Sequence, residues 1–374
     1  MYERQFVSIL QKRINEKAPF MQFVLGPRQV GKTTGLEQLL AKLKTPYHFV
    51  FVEGELHPDA NWLRLQWQKA LLSDTLLVVD EIQKVENWNE TLKSLWDQQR
   101  NNKKLKCIFL GSSTLNLVRG LSESLAGRIE IIPVFHWNYL ESKQIYKGLT
   151  LDEFLEFGGY PKSYEYLKEK ERFNSYVTQS IVKNVIEKDI LLNHNVKKPA
   201  LFKQTVELLA QYPSQEISYT KLLGQLQEGG NVEVIKYYIQ LLKESFLFYP
   251  LEKYSPKGVK TKASSPKILP ACPALVSSLS EQNVFHGHLF EMIVGNELLK
   301  CTEKLYYWRD GQYEVDFVAV KNKKLFAIEV KSGKSKHSKS LEVFLTKHPK
   351  AKPILVDKDI YLTLCENPDL IFEL

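Results

Sequence analysis

The chain has 374 residues, of which 25% are charged and 44% are hydrophobic, and these values are typical of globular proteins. This length exceeds what one compact core usually holds, so we expect two to three domains. No apolar run reaches the roughly 18 residues of a membrane-spanning helix, and the first residues lack the apolar region of a secretory signal. The four cysteines include no Cys-x-x-Cys pair, which argues against a disulfide framework and a zinc site. We therefore expect a cytoplasmic protein with no membrane segment.

The net charge is +8 and the isoelectric point is about 9.0. A positive excess of this size is compatible with nucleic acid as a partner. A solvated, lysine-rich surface would account for the same charge, so composition alone does not decide between the two.

The first part of the chain alternates strand and helix patterns, which predicts βαβ units and a parallel sheet. A helical periodicity covers Lys32–Leu43. The strand candidates are Met21–Leu25, Tyr47–Val52, Thr75–Val79, Lys106–Leu110 and Ile129–Val134. The third of these is short and wholly apolar after its first residue, as expected of a buried parallel strand.

The pattern then becomes helical from about Leu149 to Tyr212, with one interruption at Gly158-Gly159-Tyr160-Pro161. A short helix, Tyr219–Leu226, and a longer amphipathic helix, Val232–Glu244, follow. Asn231 is the expected N-cap of the longer helix. A strand over Phe246–Tyr254 completes an order of elements that is typical of a winged helix.

From about Phe285 the pattern changes again, to a helix followed by three strands. The strand candidates are Leu305–Arg309, Glu314–Val320 and Leu325–Val330. Asp310-Gly311 marks the first hairpin turn. These patterns predict an α/β protein divided into a parallel-sheet core (1–148), a helical lid (149–212), a winged helix (213–272) and a C-terminal α/β domain (273–374).

A phosphate-binding motif lies between the first strand and the first long helix. It fits G-x-x-x-x-G-K-[ST] and consists of Gly26, Pro27, Arg28, Gln29, Val30, Gly31, Lys32, Thr33 and Thr34. Its backbone N–H groups would turn inward around the phosphates, and Lys32 would contact the β- and γ-phosphates. Thr33 would offer its hydroxyl to Mg²⁺. The motif therefore predicts that the core is a P-loop domain that binds ATP with Mg²⁺.

The apolar strand that ends in Asp80 and Glu81 supplies the acids such a site needs. Asp80 would hold the metal through water, and Glu81 would act as general base towards the attacking water. The strand Cys107–Leu110 is followed by Ser112 and Ser113, and either could sense the γ-phosphate from a strand inserted between the two motif strands. An ordinary serine-rich turn is the alternative.

Arg128 comes just before the fifth strand candidate. We expect its guanidinium to stabilise charge in the transition state, either in its own chain or in a neighbouring copy. Arg28 and Arg119 are competitors for this role, and a surface ion pair is the alternative role of Arg128.

These motifs together resemble a large prokaryotic family of AAA-type ATPases. The resemblance is carried by Gly26–Thr34, Asp80–Lys84, Gly111–Ser113 and Ser124–Arg128, and by Gly158–Pro161 beyond the core. It covers essentially the whole chain and implies ATP hydrolysis. It also implies a C-terminal domain related to the restriction-endonuclease fold, whose function in the family is poorly defined.

The C-terminal region fits the pattern D-(x)n-[DE]-x-K of magnesium-dependent nucleases through Asp316, Glu329 and Lys331. Glu329 and Lys331 are two residues apart on one strand and so share a face. If Lys321–Lys324 forms the turn, Asp316 lies opposite Glu329. Glu291, on the preceding helix, would be the fourth member of the site.

In this interpretation Glu291, Asp316 and Glu329 hold Mg²⁺, while Lys331 positions the attacking water or stabilises the pentavalent phosphate. Lys331 would be the counter-ion of the carboxylates when metal is absent. A charged sheet surface is the plain alternative, in which the domain binds DNA or a partner without cutting.

Lysines in the predicted wing would bind DNA phosphates and make the affinity depend on salt. They are Lys253, Lys257, Lys260, Lys262 and Lys267. A winged helix that only joins the two neighbouring domains is the alternative.

The sequence thus predicts an ATPase coupled to DNA processing. A signalling or defence switch with a non-catalytic C-terminal adaptor is the second hypothesis. A ring-shaped DNA motor is the third, and it would require a homo-oligomer that supplies an arginine in trans.

Overall fold

The computed structural model describes residues 2–16, 20–99, 105–112, 124–226, 229–256, 265–280, 284–331 and 338–373. The chain forms two compact units. The first contains residues 1–135 together with 187–194, and the second contains residues 136–186 together with 195–374. None of the helices within these described ranges has the length and apolar character needed to cross a membrane.

The first unit is built from alternating strands and helices. Its strands are β1 (Met21–Gly26), β2 (Tyr47–Phe51), β3 (Leu76–Asp80), β4 (Cys107–Ser112) and β5 (Ile129–Pro133). Its helices are α1 (Gln5–Ile14), α2 (Lys32–Lys42), α3 (Ala60–Leu72) and α4 (Trp88–Gln98), with a 3₁₀ turn at Ile82–Lys84. The five predicted strands are confirmed within a residue or two of their predicted ends.

All these strands run parallel, in the spatial order β2-β3-β4-β1-β5. Strand β4 therefore lies between β1 and β3, as the sequence analysis expected of the strand inserted between the two motif strands. Every residue of β1, β3 and β4 is buried. Helices cover the faces of a parallel sheet, which is why these strands are mostly apolar and do not alternate apolar and polar residues.

The second unit begins with helices, and the helical pattern predicted for 149–212 is largely confirmed. The helices are α5 (Tyr139–Ile145), α6 (Leu151–Phe157), α7 (Lys170–Ser175) and α8 (Pro199–Ala210), with a 3₁₀ turn at Pro161–Tyr166 and π-helical turns at Tyr176–Val182 and Val185–Leu191. The last π-helical turn leads the chain into residues 187–194, which belong to the first unit.

The rest of the second unit mixes helices with a sheet. Its helices are α9 (Tyr219–Gln225), α10 (Val232–Glu244), α11 (Pro273–Leu279), α12 (His286–Cys301), α13 (Lys339–Lys347) and α14 (Lys358–Glu366). Its strands are β6 (Gln215–Glu216), β7 (Phe248–Lys253), β8 (Lys267–Pro270), β9 (Lys304–Asp310), β10 (Tyr313–Lys321), β11 (Lys324–Val330) and β12 (Lys352–Val356). Asn231 caps α10 by accepting a hydrogen bond from the Val234 N–H.

The strands of the second unit form one sheet in the order β12-β11-β10-β9-β7-β8-β6. The joint is a parallel pairing of β7 with β9, which sets Glu252 beside Tyr306. The strands of the predicted winged helix and those of the predicted C-terminal domain thus share hydrogen bonds. The division into segments 149–212, 213–272 and 273–374 stays a prediction, as do the names winged helix and nuclease-like domain.

The Gly-Gly-Tyr-Pro segment has a clear physical role. Gly159 has a φ of +113°, and a Cβ there would lie 2.2 Å from the Cβ of Cys272. Only glycine adopts this backbone conformation without strain, and only glycine leaves room for the chain to pass so close to Cys272. The next residue, Tyr160, is buried, and its hydroxyl oxygen lies 3.1 Å from Nε2 of His136.

We predict that Gly159→Ala lowers the free energy of unfolding of the second unit by at least about 2 kcal/mol, because backbone strain and overpacking add. Gly224→Ala is the matched control, since Gly224 lies in helix α9 with open space where a Cβ would be. Alanine there should raise stability by up to about 1 kcal/mol. Urea unfolding followed by tryptophan fluorescence measures both. Equal stability of the two variants would contradict the assigned role of Gly159.

Candidate nucleotide site and carboxylate cluster

The phosphate-binding loop joins the carboxyl end of β1 to the amino end of α2. Gly31 has a φ of +86° and nothing within 4 Å of where a Cβ would be. Glycine is therefore favoured at position 31 by the left-handed backbone conformation and not by a lack of space for a side chain. Gly26 is required by space, because a Cβ there would lie 2.1 Å from the carbonyl oxygen of Val134. The two glycines let the loop close tightly at the amino end of α2, where backbone N–H groups attract anions.

The side chain of Lys32 is buried within the phosphate-binding loop, where the phosphates are expected to bind. Its Nζ donates to the carbonyl oxygens of Gly26 (2.9 Å) and Pro27 (2.7 Å). Burial lowers the pKa of Lys32 to about 8, although the carboxylates of Glu81 and Asp80 oppose this shift. A bound phosphate is negatively charged, so it would favour the charged ammonium and raise this pKa again.

The two acids predicted to act in hydrolysis lie at the carboxyl end of β3. Asp80 is buried, and its Oδ2 accepts a hydrogen bond from the Thr33 hydroxyl at 2.9 Å. Thr33 and Asp80 therefore present oxygen atoms to one point, which fits the oxygen ligands that Mg²⁺ prefers. Glu81 has a left-handed backbone (φ 60°, ψ 42°). Strained backbone of this kind is concentrated at functional sites.

Gln83 is a residue of this site that the sequence analysis missed. Its Nε2 donates to the Glu81 carboxylate and, at 3.1 Å, to the Ser112 hydroxyl. Ser112 is buried at the end of β4. Gln83 thus connects the proposed general base to one of the two proposed sensor residues. Ser113, the other proposed sensor residue, lies outside the described residues, as does Arg119, the competitor of Arg128.

Arg28 makes a bidentate ion pair with Asp189, from the segment 187–194. The nitrogen–oxygen distances are 2.6 Å from Nε and 2.5 Å from Nη2. This contact raises the pKa of Arg28, against the opposing effect of burial. Arg28 would have to leave Asp189 in order to reach a phosphate. No pattern in the sequence marks Asp189 as part of this site.

Arg128 does not reach the nucleotide site of its own chain. The register pairs Met21 with Ile129, so Arg128 lies at the amino edge of the sheet, whereas the loop lies at the carboxyl edge. Five residues of strand separate these edges by about 16 Å. Arg128 instead pairs with Asp97 through Nε (2.9 Å) and Nη2 (2.8 Å). The predicted role within one chain is therefore wrong, and the role in trans stays a prediction.

The carboxylate cluster of the second unit consists of Glu291 on α12, Glu314 and Asp316 on β10, and Glu329 on β11. The predicted hairpin is confirmed, since Lys321 pairs with Lys324 and the ladder continues to Phe317 and Ile328. Asp316 and Glu329 are the next residues along it. Asp316 Oδ2 accepts from the Val330 N–H at 2.8 Å.

Lys267 was predicted to contact DNA from the wing, and this prediction is wrong because the side chain is only 1% exposed. It reaches from β8 into the carboxylate cluster. Its Nζ lies 2.6 Å from Glu291 Oε1 and 2.8 Å from Glu314 Oε1. Burial opposes its charge, but the carboxylates of Glu291, Asp316 and Glu314 outweigh burial and raise the pKa of Lys267.

Lys331 has a smaller part in the cluster than predicted. Its Nζ pairs with Glu329 Oε1 at 2.8 Å.

Burial, together with the neighbouring charge of Glu291, raises the pKa of Asp316 well above its ordinary value, and Lys267 acts in the opposite direction. No group of three or more His, Cys, Asp or Glu side chains in the described ranges is arranged to hold a metal ion. The magnesium ligation predicted for Glu291, Asp316 and Glu329 stays a prediction, and in this structure Glu291 is paired with Lys267.

We predict that Arg28→Ala and Asp189→Ala are coupled in a double-mutant cycle by about 1 to 3 kcal/mol of unfolding free energy. The reason is that Asp189 is 7% exposed and Arg28 26% exposed, so solvent screens their interaction poorly. The Lys42–Glu3 pair of the same unit is the control. Its side chains are 51% and 32% exposed, so its coupling should stay below about 1 kcal/mol. Similar couplings for both pairs would contradict the prediction.

Three family models match successive parts of the chain. Residues 19–143 match the AAA domain, residues 149–284 match a domain of unknown function (DUF8612), and residues 286–369 match another domain of unknown function (DUF4143). The boundary between the last two matches lies at 284–286, later than the predicted boundary at 272–273. Lys267 falls in the second match, whereas its carboxylate partners fall in the third.

Several proteins are similar in sequence to this chain over most of its length. Uncharacterized protein MJ1544 of Methanocaldococcus jannaschii is 25% identical over 338 residues, which cover 82% of this chain and 74% of that protein. An uncharacterized protein of Haemophilus influenzae is 23% identical and covers 86% of this chain and 85% of its own length. Among solved structures, the Thermotoga maritima RuvB Holliday junction branch migration motor is 15% identical, with a TM-score of 0.34, and covers 68% of this chain and 89% of that one. From the family match and the loop geometry, residues 19–143 are an AAA-type P-loop ATPase domain.

Proposed function

We propose that this protein is a Mg²⁺-dependent ATPase whose nucleotide state controls DNA binding by its second unit. One observation carries the ATPase part of the proposal. Lys32, Thr33, Asp80 and Glu81 converge at the carboxyl edge of one parallel sheet, and Thr33 and Asp80 are in direct contact there.

Each of these residues has a distinct part in the proposed reaction. Lys32 binds the β- and γ-phosphates, and Glu81 takes the proton of the attacking water. Thr33 and Asp80 would hold Mg²⁺, which would supply positive charge to the phosphate oxygens. Gln83 and Ser112 orient Glu81 through their shared hydrogen bonds. If Arg128 acts in trans, hydrolysis also requires a homo-oligomer.

DNA binding is supported by charge. The chain carries 51 basic and 43 acidic side chains, and a positive excess favours a polyanionic partner. Lys253 ends strand β7 and is partly exposed. Lys257, Lys260 and Lys262 follow it in sequence and lie outside the described part of the chain.

A second candidate function is a nucleotide-controlled switch whose C-terminal region is a non-catalytic adaptor. The ion pairs of Lys267 favour it over DNA cleavage, because Lys267 occupies Glu291, one of the three carboxylates that the nuclease interpretation assigns to metal, and also the neighbouring Glu314. In the nuclease alternative, Asp316, Glu329 and Lys331 remain the proposed catalytic residues. Metal-dependent cleavage by the wild type that is lost in Glu329→Ala would decide for the nuclease.

We predict that Glu81→Gln binds ATP normally and loses turnover by a factor of about 100 or more, because only the general base is removed. Lys32→Ala should instead lose tight ATP binding. Glu90→Gln, an exposed residue of α4, is the control and should hydrolyse ATP as the wild type does. Nucleotide titration and phosphate release measure the two properties. Turnover at the wild-type rate in Glu81→Gln would reject Glu81 as the base.

We predict that at least one of duplex, single-stranded or branched DNA changes the ATP turnover of the wild type. Changing Lys257, Lys260 and Lys262 to glutamine should reduce the log–log salt slope of DNA binding by about one unit per lost phosphate contact. Changing Lys12, Lys44 and Lys69 to glutamine removes the same charge from exposed positions of the first unit and should leave the slope unchanged. If none of the three DNA classes binds or alters turnover, the switch is the better account.

A further inference from the structure

We propose that Lys267 is the resident cation of the carboxylate cluster and takes the place of a divalent metal ion, so that the folded protein binds neither Mg²⁺ nor Mn²⁺ there. This inference depends on neither ATP hydrolysis nor DNA binding. It determines whether the second unit has the chemistry to cut DNA.

An ammonium has three N–H donors, and acceptors for all three surround Lys267. Two are the carboxylates of Glu291 and Glu314, at 2.6 and 2.8 Å, and the third is the carbonyl oxygen of Asp316, at 3.5 Å. The group thus sits among oxygen atoms on the helix and strand where the metal was predicted.

The strand and the aromatic neighbours of Lys267 hold it at the cluster. Strand β8 lies between β7 and β6, and Lys267 pairs with both, through Leu251 and Glu216. The aromatic rings of Phe317 and Tyr307 lie 5.6 and 6.0 Å from its Nζ. Faces of aromatic rings attract a cation, so these walls favour the charged side chain where it is.

The other two carboxylates, Asp316 and Glu329, already have donors within the protein. Asp316 Oδ2 is used by the Val330 N–H, and Glu329 Oε1 is used by Lys331. Glu329 Oε2 is buried and has no hydrogen-bond partner among the described residues. Each of these two carboxylates thus already accepts a hydrogen bond within the protein, and a metal ion would have to share it or displace its donor. A divalent ion would also be repelled by the buried ammonium close by.

The test is Mn²⁺ binding to the full chain without nucleotide, measured by the loss of the free Mn²⁺ electron paramagnetic resonance signal. Wild type should show no site in the second unit. Lys267→Met keeps an unbranched side chain that is one atom shorter and removes its charge, so it should gain one Mn²⁺ site, at least about tenfold tighter than any wild-type binding. Adding Asp316→Asn should remove the gained site. Lys331→Met is the matched control and should gain no site.

Thermal unfolding covers the case in which Lys267→Met folds poorly, because Mn²⁺ should then raise the Tm of this variant and not that of Lys331→Met. Two results would overturn the proposal. One is wild-type Mn²⁺ binding that Asp316→Asn abolishes, which would restore the metal site. The other is a Lys267→Met protein that gains neither Mn²⁺ binding nor Mn²⁺-dependent stability, which would make Lys267 a purely structural residue.

Discussion

The second unit depends on one buried charge, the ammonium of Lys267. Transfer of an isolated ammonium from water to a protein interior costs several kcal/mol, and partners must offset this cost. Glu291 and Glu314 do so at 2.6 and 2.8 Å, from helix α12 and strand β10. The contact therefore specifies how strand β8, helix α12 and strand β10 come together. An apolar side chain at this position would pack there without selecting those partners.

The ATPase domain follows a different constraint, the direction of its strands. All five run parallel, so the loop after β1, the acids after β3 and Ser112 at the end of β4 meet at one edge. This arrangement needs no long-range charge to bring the groups together, because strand order and direction suffice. The same rule excludes Arg128, whose position before β5 puts it at the other edge. One geometric fact thus selects the residues of the site and rejects another candidate.

Much of the fold and of the nucleotide site could be predicted from sequence, because the motifs and patterns that indicate them are local in the chain. The phosphate-binding loop, the apolar strands and the Lys321–Lys324 hairpin turn each depend on residues that are close in the chain, and the hairpin register then follows from counting. Lys267 and Asp189 could not be predicted in this way. Each meets partners that are 24 or more residues away, across segments with no shared pattern. Lys267 also looked like the other lysines near it, and only burial distinguishes it.

The parallel pairing of β7 with β9 has a consequence for how this region can change in evolution. Two segments that match separate families share one hydrogen-bonded sheet. Each segment alone would therefore lack a hydrogen-bonding partner along one strand edge. A gene that kept only the earlier segment would encode strand β7 with an open edge, and open edges invite pairing with other chains and aggregation. Exchange of the C-terminal segment between relatives should therefore succeed only when the new segment brings a strand that completes this edge.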